Sequence, residues 1–281
     1  MVSSRPSPLQ RLRNVWTYRE LLRNLVRKEL KVKYKNSALG FLWTLLNPAL
    51  YLVVFTIVFK FILQSSVPYF AVFLLSGLLC WNLFSNSVSG GCSSIVSNAG
   101  LVQKVWMPRE ILPLAAIGAS LIHFCFQLSV LAAALLVFRL PPAWEYLPVL
   151  VLALLVVVTL SAAIAIALSA VNVYLRDTQH LLELVLLAWF WLSTIVYPYR
   201  QVADRLGDNS WILLLNPIVP VVLAFQRVIY NPGPEAGILP LDTGIGWYVR
   251  NLALVGAGSF VLLVLALVLF GRLEDNLAEE I

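Results

Sequence analysis

Charge is scarce in this chain. Only 12% of its 281 residues are Asp, Glu, Lys or Arg, against about 25% in an ordinary soluble domain. So few charges cannot cover a water-soluble surface of this size. That excludes a soluble enzyme or carrier and points to a membrane protein with a single domain. Histidine is rarer still, with His123 and His180 alone. His123 lies in an apolar run and reads as a satisfied interior histidine or a weak pore group rather than a metal ligand. Cys80, Cys92 and Cys125 stand far apart with no CxxC. They read as small buried hydrophobes, not a disulfide or zinc framework. No GxxxxGK[ST] is present, so the chain is not expected to bind ATP through its own phosphate loop. HExxH and GxSxG are absent too. The 14 acidic residues are scattered, and Asp242, Glu274, Asp275, Glu279 and Glu280 fall in an outer loop or the tail. An ion-coupled carrier needs ionisable groups within its spans. Only Lys60, Glu183 and Arg250 qualify, all near span ends, where snorkelling accounts for them. No cofactor or metal is expected in this chain.

What is present is apolar sequence. Hydrophobic residues make up 60% of the chain, and the mean hydropathy is +0.85. A bilayer core of about 30 Å takes roughly 20 residues of helix. Residues 41–63, 69–88, 111–138, 147–171, 181–199 and 247–270 are the candidate spans. The expected fold is all-α and polytopic, with six transmembrane helices over 38–281 and a cytoplasmic basic segment over 1–37. Six spans put both termini on one side. If that side is the cytoplasm, fourteen Lys and Arg lie inside and six outside, in keeping with the positive-inside rule. The net charge of +6 therefore reads as membrane topology, and no nucleic-acid partner is expected. A cleaved signal peptide is not expected either. The basic region is too long, and the apolar run from residue 41 is span-length.

Ten of the 20 basic residues precede Asn36. Between 18 and 35, Leu21, Leu22, Leu25 and Val26 share a helical face, with Arg27, Lys28, Lys31, Lys33 and Lys35 around it and Glu29 interrupting. This predicts a basic amphipathic helix in the membrane interface, with a solvated tail as the alternative. Residues 36–40, NSALG, would bend into the first span.

Two further segments are unusual. In SNAGLVQKVWMPREILP (97–113), Ser97 or Asn98 is placed to cap a short helix that Pro108 ends or kinks. Leu101, Val102, Val105 and Trp106 would form its apolar face, a docking surface on the inner side. The alternative is a connector lying on lipid. WILLLNPIVPVVLAFQRVIY (211–230) is broken by Pro217 and Pro220, and neither half is long enough to span. Two re-entrant helices dipping in from outside are expected, with a seventh span as the alternative. Aromatic residues recur at Tyr51, Phe55 and Phe59 on one face of the first span, at Trp81 and Phe84 in the second, and at Trp189 and Tyr197 in the fifth. Such rings stack on the apolar faces of sugars. They also form interfacial belts and pack helices together.

Several stretches resemble one known family. RKELKVKYKNSALGFLWTLLNP (27–48), VWMPREILPLA (105–115), VNVYLRDTQH (171–180), and Asn216-Pro217 followed by Arg227 are similar, in the same order, to segments of ABC-2 type permeases that export O-antigen, teichoic acid and related polysaccharides. The resemblance runs from about residue 18 to 277. It implies a transport subunit rather than an enzyme, located in a bacterial cytoplasmic membrane with both termini inside. It implies a homodimer paired with two copies of a cytoplasmic P-loop ATPase, which would hold the ATP and Mg. The cargo it implies is a polysaccharide on a polyprenyl diphosphate lipid. On that pattern Leu101, Lys104, Val105, Trp106 and Arg109 couple to the ATPase. Arg27, Lys28, Lys31, Lys33 and Lys35 meet the lipid diphosphate and the membrane lipids. Tyr51, Phe55, Phe59, Trp81, Phe84, Trp189 and Tyr197 line the channel, and Asn216, Pro217 and Arg227 form the outer gate. Competing readings are an exporter of a drug or other lipid in the same superfamily, a membrane glycosyl- or acyltransferase, and a secondary carrier.

Overall fold

The computed structural model describes residues 8–33, 35, 42–62, 67–232, 237–240 and 244–274, without the side chains of residues 8, 9, 12 and 33. Among the described residues the structure is helical and contains no strand. Two helices, α1 (Pro8–Thr17) and α2 (Arg19–Lys33), precede the apolar part of the chain. The span-length helices are α3 (Leu42–Thr56, extended by a π-turn over Ile57–Ile62), α4 (Phe70–Ser97), α6 (Ile111–Phe138), α7 (Leu147–Tyr174) and α11 (Ile245–Leu273). Between α4 and α6 lies the short α5 (Ala99–Lys104). Helix α8 (Thr178–Leu192) is followed by α9 (Tyr199–Leu206), a 3₁₀ helix over Gly207–Leu215, and α10 (Ile218–Phe225), which ends in a π-turn over Gln226–Tyr230.

Helix α7 is the centre of the bundle, packed along α11 and α4, while α4 also packs along α6. The α4–α7 crossing depends on small side chains. A Cβ built on Gly91 would stand 2.4 Å from the Ala165 Cβ, so only glycine fits there. Lipid tails are as apolar as leucine, so close backbone approach replaces the hydrophobic effect as the means of joining such helices. α3 is different. It touches α4 and α6 but leaves nearly all of its apolar surface uncovered.

Several expected boundaries shift. The second span was expected to stop at residue 88, but α4 continues to Ser97 through the polar run SNSVSGGCSS. Its serines satisfy their hydroxyls within the helix by donating to backbone carbonyls one turn back, Ser94 to Gly91 at 2.7 Å and Ser97 to Ser93 at 2.9 Å. The fifth span was expected over 181–199. α8 has only 15 residues, about 22 Å of helix, short of the roughly 30 Å a bilayer core demands. It stops because Ser193 is extended. Cys80 and Cys92 are buried as expected, whereas Cys125 is exposed. The bend expected at 36–40 lies outside the described residues.

α2 does carry an apolar face, but it buries that face against protein. Leu25 is buried, and Leu21, Leu22 and Val26 pack beside it on a cluster that includes Ile111, Leu112, Ala115 and Phe270. A Cβ on Gly118 of α6 would lie 2.7 Å from the Val26 methyl. The absent side chain lets α2 sit directly on α6.

Candidate coupling and transport site

The residues of interest collect at the two ends of the bundle. At one end, α5 stops at Lys104, four residues before Pro108. Val105 is extended, with φ −124° and ψ 125°. The apolar face expected on a single helix is therefore split. Val102 and Met107 turn into the core and Leu101 is half-buried, whereas Val105 is exposed and Trp106 is 85% exposed. The Trp106 ring meets Tyr18 edge-on at 6.4 Å. Lys104 is exposed beside it. Asn98 precedes α5 but does not cap it. Its amide donates to the Ser94 carbonyl at 2.8 Å, and its oxygen accepts from Lys28 Nζ. Lys28 is thereby tied to α4, while Arg27, Lys31 and Lys35 are exposed. The Lys33 side chain lies outside the described residues.

The same end holds a feature that sequence reasoning missed. The buried Arg11 guanidinium bonds the buried carboxylate of Glu110. Its Nη1 also reaches Glu274 at 2.8 Å. Arg109 donates to the Glu274 carbonyl oxygen at 2.5 Å. Burial works against the Arg11 charge, but the bonds and the attraction from Glu110, and then from Glu274, outweigh it. They hold the guanidinium above its usual value. Gly271 makes room, since a Cβ there would stand 2.8 Å from Arg11 Nη2. The cluster joins α1, the entrance of α6 and the end of α11. The only hint in the sequence was the MPRE run, because the partners lie 99 and 263 residues apart.

The aromatic candidates form two groups. On α3, Tyr51 stacks on Phe55 at 5.7 Å and Phe55 meets Phe59 at 6.2 Å. Phe59 in turn stacks on Phe70 of α4 at 3.8 Å. Tyr51 is exposed. In the second group Trp81 and Phe84 are buried. Phe84 meets Trp189 edge-on at 5.1 Å, fastening α4 to α8. These rings pack helix to helix within the subunit. Tyr197 donates to the Trp191 carbonyl at 3.0 Å. Between α2, α4 and α6 runs a polar groove of 360 Å³ whose walls include Glu29, Ser89, Ser93, Ser120 and His123.

At the other end, the Tyr199–Leu215 and Ile218–Tyr230 segments meet at an angle of 103°. Asn216 and Pro217 form the corner, and Asn216 pins it. Its oxygen accepts from the Trp189 indole at 2.8 Å and the Ile218 N–H at 3.1 Å. Its amide donates to the Leu192 carbonyl at 3.2 Å and to Ser193 Oγ at 3.1 Å. One side chain thus satisfies a backbone group on each side of the break, the Leu192 carbonyl and the Ile218 N–H, along with the Trp189 indole and the Ser193 hydroxyl. α10 is buried throughout. The Tyr230 hydroxyl donates to the Pro68 carbonyl at 2.5 Å, so this limb returns to the loop before α4. The Arg227 guanidinium lies 4.6 Å from the Tyr146 ring centroid, a cation–π contact. Among the described residues, no three His, Cys, Asp or Glu side chains are grouped to hold a metal.

A helical bundle with five span-length helices and a broken sixth element has the form of a polytopic membrane protein. The chain belongs to the ABC-2 type transporter family, which it matches over residues 20–230. It is 33% identical over 273 residues to the O-antigen export system permease protein RfbA of Myxococcus xanthus, covering 96% of this chain and 98% of that protein. It is 27% identical over 260 residues to the protein of the same name from Klebsiella pneumoniae, covering 92% and 94%. It is also 27% identical over 214 residues to the polysialic acid transport protein KpsM of Escherichia coli, covering 73% and 79%.

Proposed function

We propose that this chain is the permease subunit of an ATP-driven exporter that carries a polyprenyl-diphosphate-linked polysaccharide across a bacterial cytoplasmic membrane. The observation that carries this reading is the end-to-end similarity to O-antigen export permeases, on a chain whose described residues form a bundle without a catalytic constellation. The working unit is a homodimer with two ATPase subunits holding ATP and Mg. The uncovered apolar surface of α3 supports contact with a second copy. The Arg11 end faces the cytoplasm, and the corner at Asn216 dips back into the membrane from outside, a reading that its 103° bend and its return to Pro68 support.

ATP is hydrolysed on the partner, so force reaches this chain only through contacts that differ between the partner's two states. Trp106 is the lever. It is the most exposed large apolar side chain at this end, flanked by Val105 and Lys104, while Val102 and Met107 anchor its base. Trp106→Ala should leave the chain folded and lower the ATPase recovered with a tagged copy severalfold. Stoichiometric recovery with full coupling would sink the assignment.

Arg27, Lys28, Lys31, Lys33 and Lys35 gather the lipid diphosphate from the inner leaflet. Each basic residue near an anionic surface contributes about 1 kcal/mol. Changing Arg27, Lys31 and Lys35 to Gln should cut export severalfold at unchanged expression and orientation. Unchanged export would leave these charges with topology as their only role.

A further inference from the structure

A pocket of 550 Å³ opens at the Asn216 end of the molecule. It is walled by Tyr199, Arg200 and Asp204 of α9, Ser210 and Trp211 of the 3₁₀ helix, and Trp247 at the start of α11. Its size falls in the range of small-molecule sites, roughly 300–1,000 Å³. We infer that this pocket binds a sugar unit of the glycan after it crosses, an inference that rests on the polysaccharide-export reading above.

Three observations carry it. The first is convergence. Trp residues of an interfacial belt sit at headgroup level; Trp211 and Trp247 come from different elements and wall one concavity. Rings there offer flat apolar faces to the C–H faces of a sugar, and Arg200, Asp204 and Ser210 offer donors and acceptors to its hydroxyls.

The second is charge. Arg200 Nε lies 3.6 Å from Asp204 Oδ2. Among the described residues lining the pocket, the one cation already faces a carboxylate, so the site attracts a phosphate headgroup weakly and suits a ligand read by ring face and hydroxyls.

The third is rigidity. Trp247 meets Tyr248 edge-on at 5.1 Å, Tyr248 meets Tyr146 at 5.8 Å, and Tyr146 lies beside Arg227. The Arg200 N–H is fixed to the Ile238 carbonyl at 3.3 Å. Gly207 turns α9 into the 3₁₀ helix with φ +54°, a conformation that glycine adopts without strain. A sugar held here would be withdrawn from the exit beside the Asn216 corner, opposing backward sliding.

The test uses the full chain with its ATPase in lipid nanodiscs. The probe is the polysaccharide released by mild acid from the envelope of cells that carry this chain, and binding is read by equilibrium dialysis. Wild type should bind saturably, with little change between low and high salt. Trp211→Ala should bind about tenfold more weakly, Trp211→Phe should recover most of the loss, and the unfolding temperature should stay unchanged. Wild-type affinity in Trp211→Ala would overturn the inference. So would a Trp211-dependent site that takes up short-chain phosphatidylglycerol and releases it with salt, because that marks a headgroup site. A parallel strain lacking this chain separates the two claims. Continued surface display of the glycan there defeats the export reading. Loss of display together with Trp211-independent glycan binding defeats only the pocket.

Discussion

Arg11→Ala should be among the most damaging single substitutions outside the apolar core. It leaves the Glu110 carboxylate buried beneath α1 with its principal partner gone. Breaking a buried ion pair by removing one member costs about 3–5 kcal/mol, because the remaining charge has neither water nor a partner. The protein in detergent should therefore unfold at a clearly lower temperature and accumulate poorly. Glu110→Gln removes the opposite charge and should cost less, since Glu274 still holds the guanidinium at 2.8 Å. The double variant Arg11→Met/Glu110→Leu removes both charges and should recover much of the stability, as apolar replacements of buried pairs often do. The check is a double-mutant cycle on thermal unfolding with Arg11→Met, Glu110→Leu and their combination. Additive losses from the two single variants would show that the pair does not form. The cluster also has a functional side. It ties the segment after α5, through Arg109 and Glu110, to both α1 and the end of α11. If the apolar double variant restores stability but not cargo-stimulated ATPase activity, the charges transmit motion as well as hold the fold.

The second large effect is expected at the corner of the broken element. Asn216→Ala removes four hydrogen bonds at once and strands the Trp189 indole and the Ile218 N–H. A net contribution of about 1 kcal/mol per bond puts the loss near 2–4 kcal/mol, since some bonds will be replaced by water. Asn216→Asp keeps the acceptor but sets a carboxylate oxygen against the Leu192 carbonyl, and should retain only part of the stability. Export should fall to background in Asn216→Ala while ATPase assembly persists, because Trp106 lies at the opposite end of the bundle. Full export in a stably inserted Asn216→Ala variant would remove the corner from the mechanism.

These two sites differ in how far the sequence announced them. Asn216 and Pro217 were visible, because a proline in an apolar run marks a place where a helix can break, although Pro48 stands within α3 and Pro220 within the first turn of α10. The sequence did not show that Asn216 would spend every hydrogen-bonding atom on α8 and its own corner. Arg11 and Glu110 were hidden, since nothing local distinguishes the buried Arg11 from the nine other basic residues in the same stretch. Trp81 and Phe84 carried a further ambiguity. A ring in a span has the same composition whether it lines a passage or packs against Trp189, and only the α4–α8 contact placed them in packing.

The sequence by itself determined the membrane class, the helical fold, five of the six expected spans and the basic character of the amphipathic α2. Each of these is set by local hydropathy and by the need of backbone groups to bond within their own segment when lipid surrounds them. It also carried the family motifs, because these are contiguous. Tertiary structure alone decided where α4 ends and why α8 stops short. It decided that α2 covers α6 rather than lipid, and which charges are buried. Those outcomes depend on partners distant along the chain, on Gly118 and Gly91 allowing backbones to meet, and on Asn216 and Arg11 finding groups that no periodicity could bring together.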